Sequence, residues 1–163
     1  IMTASICPLV LDADALTILS RNMHLLEKQD RSVILTPHIG EFKRLCHVED
    51  YPDLMIAAQS FASQYHCILV LKGPHTIVTD GKISYRIASG NKAMAVGGMG
   101  DTLAGIITSL LGQGYEPIDA AVLGVYIHGR AGDEVAKQAY TVIPEKLIEE
   151  IPHTMAMLVD EIE

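Results

Sequence analysis

The residues best suited to chemistry lie in one stretch, Gly90 to Gly105, with the sequence GNKAMAVGGMGDTLAG. It passes from a glycine-rich loop into apolar positions at helical spacing: Leu103, Ile106, Ile107, Leu110 and Leu111. Gly97, Gly98 and Gly100 are expected to take positive φ and let the backbone approach a ligand closely. The loop then leads its free amides onto a helix N-terminus, whose partial positive charge suits a phosphate. Asp101 stands at the junction. Its carboxylate either caps the helix or takes a proton from a hydroxyl that attacks phosphorus.

Further polar candidates follow short apolar runs. Asp12 and Asp14 end the run Pro8 to Asp12, His38 follows Ser32 to Thr36, and Lys72 follows Cys67 to Leu71. In open parallel sheets ligands bind outside the carboxyl ends of the strands, so three of these runs place candidates on one rim. Each residue also has a plainer role. Asp14 reads as a helix N-cap, with Asp12 behind a magnesium ion; His38 reads as a surface or capping residue, and Lys72 as a solvated side chain beside a turn.

These positions imply an alternation of strands and helices. Asp14 to Ser20 reads as a helix, Pro37 to Glu41 breaks the second strand before a helix through Leu45, and Asp53 to Tyr65 is an amphipathic core helix. Cys67 to Leu71 is apolar throughout, as in a buried parallel strand. Ile77 and Val78 continue as a strand, Asp80 and Gly81 form a hairpin turn, and Ile83 to Ile87 pairs back. Asp119 to Gln138 is apolar nearly all round, with Gly124, Gly129 and Gly132 allowing close approach and His128 read as a satisfied core histidine. Pro144 opens a last helix, Glu145 to Glu150. Pro152 is expected to interrupt it before a further helical turn carrying Met155, Met157, Leu158 and Ile162.

With 163 residues, 49% of them hydrophobic, the chain has enough apolar material for a single domain over residues 1–163. A net charge of −8 argues against a nucleic-acid groove or an anionic membrane as main partner. No run reaches the roughly 18 apolar residues of a membrane span. Cys7, Cys46 and Cys67 have no metal spacing and read as reduced, mostly buried thiols of a cytoplasmic protein.

Five motifs occur in order: LDADAL (Leu11 to Leu16), LTPHIGE (Leu35 to Glu41), VLKGPHT (Val70 to Thr76), the stretch Gly90 to Gly105, and YIHGRAGD (Tyr126 to Asp133). The series closely resembles the ADP-dependent NAD(P)H-hydrate dehydratases of the ribokinase-like superfamily. The resemblance implies an α/β fold, a three-layer αβα sandwich on a mostly parallel sheet. It implies repair of hydrated nicotinamide cofactors, (S)-NADHX and NADPHX, with ADP (ATP in eukaryotic members) as phosphoryl donor and Mg2+ bridging the phosphates without a protein metal cage. By resemblance, Asp101 is the catalytic base and contacts the substrate together with His38. Lys72, Gly73, Pro74, His75, Thr76 and Gly100 hold the adenine nucleotide, while the amides of Gly97, Gly98, Met99 and Gly100 form the anion hole. Members are commonly tetramers, so a homo-oligomer with the Met-rich tail as a contact is expected.

The sequence departs from the family at Lys92 and Ala93, where Pro-Gly is usual, so a looser loop is expected. The family also carries several strands ahead of LDADAL. The sheet is therefore expected to lack its N-terminal strands and expose an edge, with weak or no activity in the chain alone. A related small-molecule kinase of the hydroxymethylpyrimidine or thiazole type, and a non-catalytic adenine-nucleotide-binding subunit, are the competing readings. A dinucleotide-binding oxidoreductase is disfavoured, because no GxGxxG follows the first strand.

Overall fold

A computed structural model describes residues 6–27, 29–47 and 52–160. In chain order the elements are β1 (Leu9–Leu11), α1 (Asp14–Leu19), β2 (Val33–Leu35), α2 (Ile39–Cys46), α3 (Leu54–Tyr65), β3 (Ile68–Leu71), β4 (Thr76–Thr79), β5 (Ser84–Ile87), α4 (Met99–Gly112), α5 (Pro117–Ala136) and α6 (Pro144–Asp160). Short 3-10 turns cover Met23–Leu25 and Lys92–Met94.

The strands lie in the order β1-β2-β3-β4-β5. Parallel ladders join β1 to β2 and β2 to β3, and antiparallel ladders join β3 to β4 and β4 to β5. The sheet is thus mixed: the turn between Leu71 and Thr76 reverses β3 into β4, and the hairpin at Asp80 and Gly81 reverses β4 into β5, where helical crossovers would have kept them parallel. Asp80 accepts from the amides of Lys82 and Ile83, both at 2.8 Å, and the Ile83 amide above all holds its carboxyl below the usual carboxylate range. Among the described strands β1 forms one edge of the sheet.

Alternate strand residues face opposite layers. Val33, Leu35, Leu69 and Leu71 pack under α1 to α3 with Leu16, Leu19, Phe42, Leu45 and Phe61. Ile34, Ile68, Val70 and Val78 pack on the other face against Leu103, Ile107, Ala121 and Val125 of α4 and α5. The expected three-layer αβα arrangement is the one found. Met99, Ala131, Val142 and Leu147 form a third cluster that ties α6 to α4 and α5.

The structure corrects several expectations. Asp14 is the first residue of α1 rather than its cap; that place falls to Ala13, at φ 49°. Only Cys67 is buried, which pushes its thiol up to about 12, while Cys46 is half-buried and Cys7 exposed. Helix α6 runs unbroken through Pro152, because Leu147 and Ile151 on its inner face pack, with Val142 just ahead of it, in the cluster shared with α4 and α5, while Pro152 is exposed. Ile162 lies outside the described residues. The loop at Lys92 and Ala93 is a tight 3-10 turn, since the Asn91 side chain accepts from the Ala93 amide at 2.9 Å.

Candidate active site

Three strand ends supply the rim. Lys72 continues β3 by one parallel bridge to His38, and its amide donates to the Pro37 carbonyl at 2.8 Å. Its ammonium crosses to the end of β1, where Nζ meets Asp12 Oδ1 at 2.8 Å; both side chains are largely buried. The first turn of α4 closes over this pair. A Cβ at Gly100 would lie 3.2 Å from Asp12 Oδ2 and 3.2 Å from Lys72 Nζ. Gly100 is therefore set by space, not by φ. Of the three loop glycines named, only Gly98 has a positive φ, 87°, where the chain turns into α4.

His38 is the N-cap of α2. Its Nδ1 accepts from the amides of Gly40 (3.0 Å) and Glu41 (3.3 Å), while its own amide donates to Glu41 Oε2 at 2.8 Å. This capping box uses Nδ1 as an acceptor and leaves Nε2 3.6 Å from Glu41 Oε2, on a side chain 55% exposed. The capping reading of His38 is the one the structure shows.

Between this rim and α5 lies a cavity of about 660 Å3, lined by Lys72, Gly73, Pro74, Thr76, Met99 and Gly100 with Ser89 to Lys92, Met94 and His128. That size suits a nucleotide. The glycine-rich loop forms its far wall and is tied down by Asp133 of α5. Asp133 accepts from the Gly90 amide at 2.9 Å and from Asn91 Nδ2 at 2.7 Å. Gly129 and Gly132 bring α5 against this loop, since a Cβ at either would strike Ser89 or Met94. This is the close approach anticipated for the α5 glycines.

The nominated residues divide. Lys72, Gly73, Pro74, Thr76, Met99 and Gly100 line the cavity; His75, Gly97 and Gly98 are exposed and stand outside its lining. Asp101, also exposed, faces a second groove of about 480 Å3 between α4 and α6, with Thr102, Ile106, Ile148, Ile151 and Met155. His38 lines neither space. The sequence reading missed Ser89, Asn91 and Asp133. Their signal was the GN pair and the Asp closing YIHGRAGD, which no local pattern links.

His128 departs from its expected role. Its Nε2 is buried with no hydrogen-bond partner among the described residues, so the ring is only partly satisfied, through the Met99 backbone. Burial pushes its pKa down to about 4; the Met99 backbone opposes that shift and the Lys72 charge adds to it. It stands neutral in the cavity wall at ordinary pH.

Comparison with known proteins fits this geometry. The sequence model of the NAD(P)H-hydrate dehydratase family matches residues 1–153. The chain belongs to that family. It is 38% identical to the bifunctional NAD(P)H-hydrate repair enzyme Nnr of Moorella thermoacetica, over 96% of this chain and 31% of the relative. It is 37% identical to the ADP-dependent (S)-NAD(P)H-hydrate dehydratase of Listeria monocytogenes, over 88% and 50%. The solved ADP/ATP-dependent NAD(P)H-hydrate dehydratase of Bacillus subtilis, co-crystallised with ATP/Mg2+, superposes with TM-score 0.83 at 30% identity, over 96% of this chain and 57% of that one. The chain thus spans between about a third and three-fifths of these relatives' length. The fold is ribokinase-like, as in other solved neighbours.

Proposed function

We propose that the chain carries the nucleotide-binding rim and the catalytic base of an ADP-dependent (S)-NAD(P)H-hydrate dehydratase. The supporting observation is the convergence of Lys72, Gly100 and the uncapped start of α4 on one cavity of nucleotide size, in a member of this family. The adenine nucleotide fills that cavity with its phosphates toward Lys72 and the first-turn amides of α4. Two positive ends, an ammonium and a helix N-terminus, then meet at the transferring phosphoryl group, and catalysis is positioning and electrostatics.

The hydrate lies on the other side of Gly100, between Asp101 and His38. Asp101 takes the proton of the C6 hydroxyl as its oxygen bonds to the terminal phosphorus of ADP, and AMP leaves. The C6–O bond then breaks, phosphate departs with the bonding pair, and loss of the C5 proton restores the ring double bond. His38 Nε2–H donates to a substrate oxygen. Mg2+, when bound, would supply charge neutralisation to the phosphates. A carboxylate at this rim is Asp12, with one oxygen on Lys72 and the other toward Gly100. That donor set fits an ion carried by phosphates and water rather than by a cage of side chains. The functional unit is proposed to be a cytoplasmic homo-oligomer.

The test is incubation with ADP, Mg2+ and NADH hydrate while following the reduced-nicotinamide absorbance band. Its return with stoichiometric AMP supports the reading; binding of ADP without AMP or phosphate release refutes catalysis by this chain. One observation favours the binding-only alternative: Asp101 faces the α4–α6 groove, not the nucleotide cavity. Under that alternative Asp101→Asn changes nothing measurable.

A further inference from the structure

A second polar depression lies away from the nucleotide cavity. Helices α1 and α2 pack side by side and leave between them a groove of about 600 Å3 lined by Thr17, Ser20, Arg21, Gly40, Lys43, Arg44 and His47. On α2, Gly40, Lys43, Arg44 and His47 recur at steps of three and four, so they share one face. Thr17, Ser20 and Arg21 face them from α1. Among the described residues no carboxylate lines the groove, in a chain of net charge −8. The dipole of α2 accounts for basic residues in its last turn. It does not account for Arg21 opposite them, nor for hydroxyls and a glycine completing the lining.

The groove's upper end reaches the rim. Gly40 lines it, and the Gly40 amide donates to His38 Nδ1 at 3.0 Å. A Cβ at Gly40 would lie 2.9 Å from His38 Cε1, so the missing side chain lets the imidazole lie over the first turn of α2. A ligand held at His38 therefore has a cation-lined path leading away from it, separate from the path to Lys72.

We infer that the groove between α1 and α2 receives the phosphate-bearing arm of the dinucleotide whose nicotinamide end lies at His38. This rests on the substrate reading above and extends it. The ligand chemistry is a diphosphate bridge, with the ribose 2′-phosphate of NADPHX adding charge that NADHX lacks. Guanidinium groups suit such phosphates because they offer paired N–H donors.

The test uses NADPH, NADH and ADP as probes on the full chain and on the double variant Arg21→Ala/Arg44→Ala. Arg21 and Arg44 are exposed, so the variant keeps the core intact, which its melting curve verifies. Reduced-nicotinamide fluorescence reports binding without interference, because the chain has no Trp. The variant is expected to bind NADPH about tenfold more weakly, and NADH less affected. ADP affinity stays within about twofold, and Arg21→Lys/Arg44→Lys, which keeps the charge without the paired donors, recovers only part of the loss. NADPH affinity unchanged in the alanine variant overturns the groove assignment. So does an equal loss for ADP, which marks a general field effect. A parent chain that binds ADP but not NADPH overturns it while sparing the nucleotide reading; one that binds neither overturns both.

Discussion

Asp101→Asn keeps size and shape and removes only basicity. Under the proposed chemistry it lowers ADP-driven hydrate turnover by about 10²–10⁴-fold and leaves ADP affinity nearly unchanged, as steady-state rates and calorimetry would read. His128 makes a different kind of prediction. Its folded pKa, about 4, lies below the ordinary histidine value, so the unfolded chain binds the extra proton first as pH falls. Its stability contribution is therefore full above about pH 6.5 and is lost as pH drops toward 4. Between pH 7 and about 4.5 that amounts to on the order of 2–3 kcal/mol. The melting temperature of the parent should fall over this range more steeply than that of His128→Gln. At this scale the sequence made Lys72 and Gly100 legible, because lysine and glycine beside strand ends and helix starts have few local uses. It did not make the burial of His128 legible, since burial depends on what packs over it.

Among the elements, α5 acts on the site without touching the reacting atoms. Asp133 holds Gly90 and Asn91 by two short charge-assisted bonds, and Asn91 in turn shapes the turn at Lys92 to Met94. Asp133→Ala should free this wall of the cavity and weaken ADP binding about tenfold or more, with amide exchange rising over residues 89–95. In α6, Pro152 lacks the N–H that the helix would otherwise bond, and its ring crowds the preceding turn. Pro152→Ala should raise the melting temperature, by about 1 kcal/mol of stability, since position 152 is exposed and its backbone is already helical. The helical character of α4 was readable from apolar periodicity and that of α5 from a long apolar run, although α5 begins and ends two residues before the range read for it. The continuity of α6 was not: a proline rule is local, and the packing of Val142, Leu147 and Ile151 that overrides it is not.

For the molecule as a whole, acidity governs behaviour in solution. With a net charge of −8 at pH 7 and an isoelectric point near 5.3, self-repulsion fades as pH approaches 5.3. Light scattering should show association greatest there and least above pH 7. The sequence by itself determined the family, because five motifs kept their order, and the three-layer fold came as what that resemblance implies; the alternation of strands and helices was read from apolar runs and helical periods within short windows. It also pointed to one rim as the candidate site, since strand ends follow from where apolar runs stop. Only the tertiary structure decided what meets there. Asp12 meets Lys72 across 60 residues of chain, and Gly90 meets Asp133 across 43. Asp101 turns to one side of α4 while Gly100 faces the other. Contacts of that kind depend on how two layers are rotated against each other, and no pattern within a single element encodes that rotation.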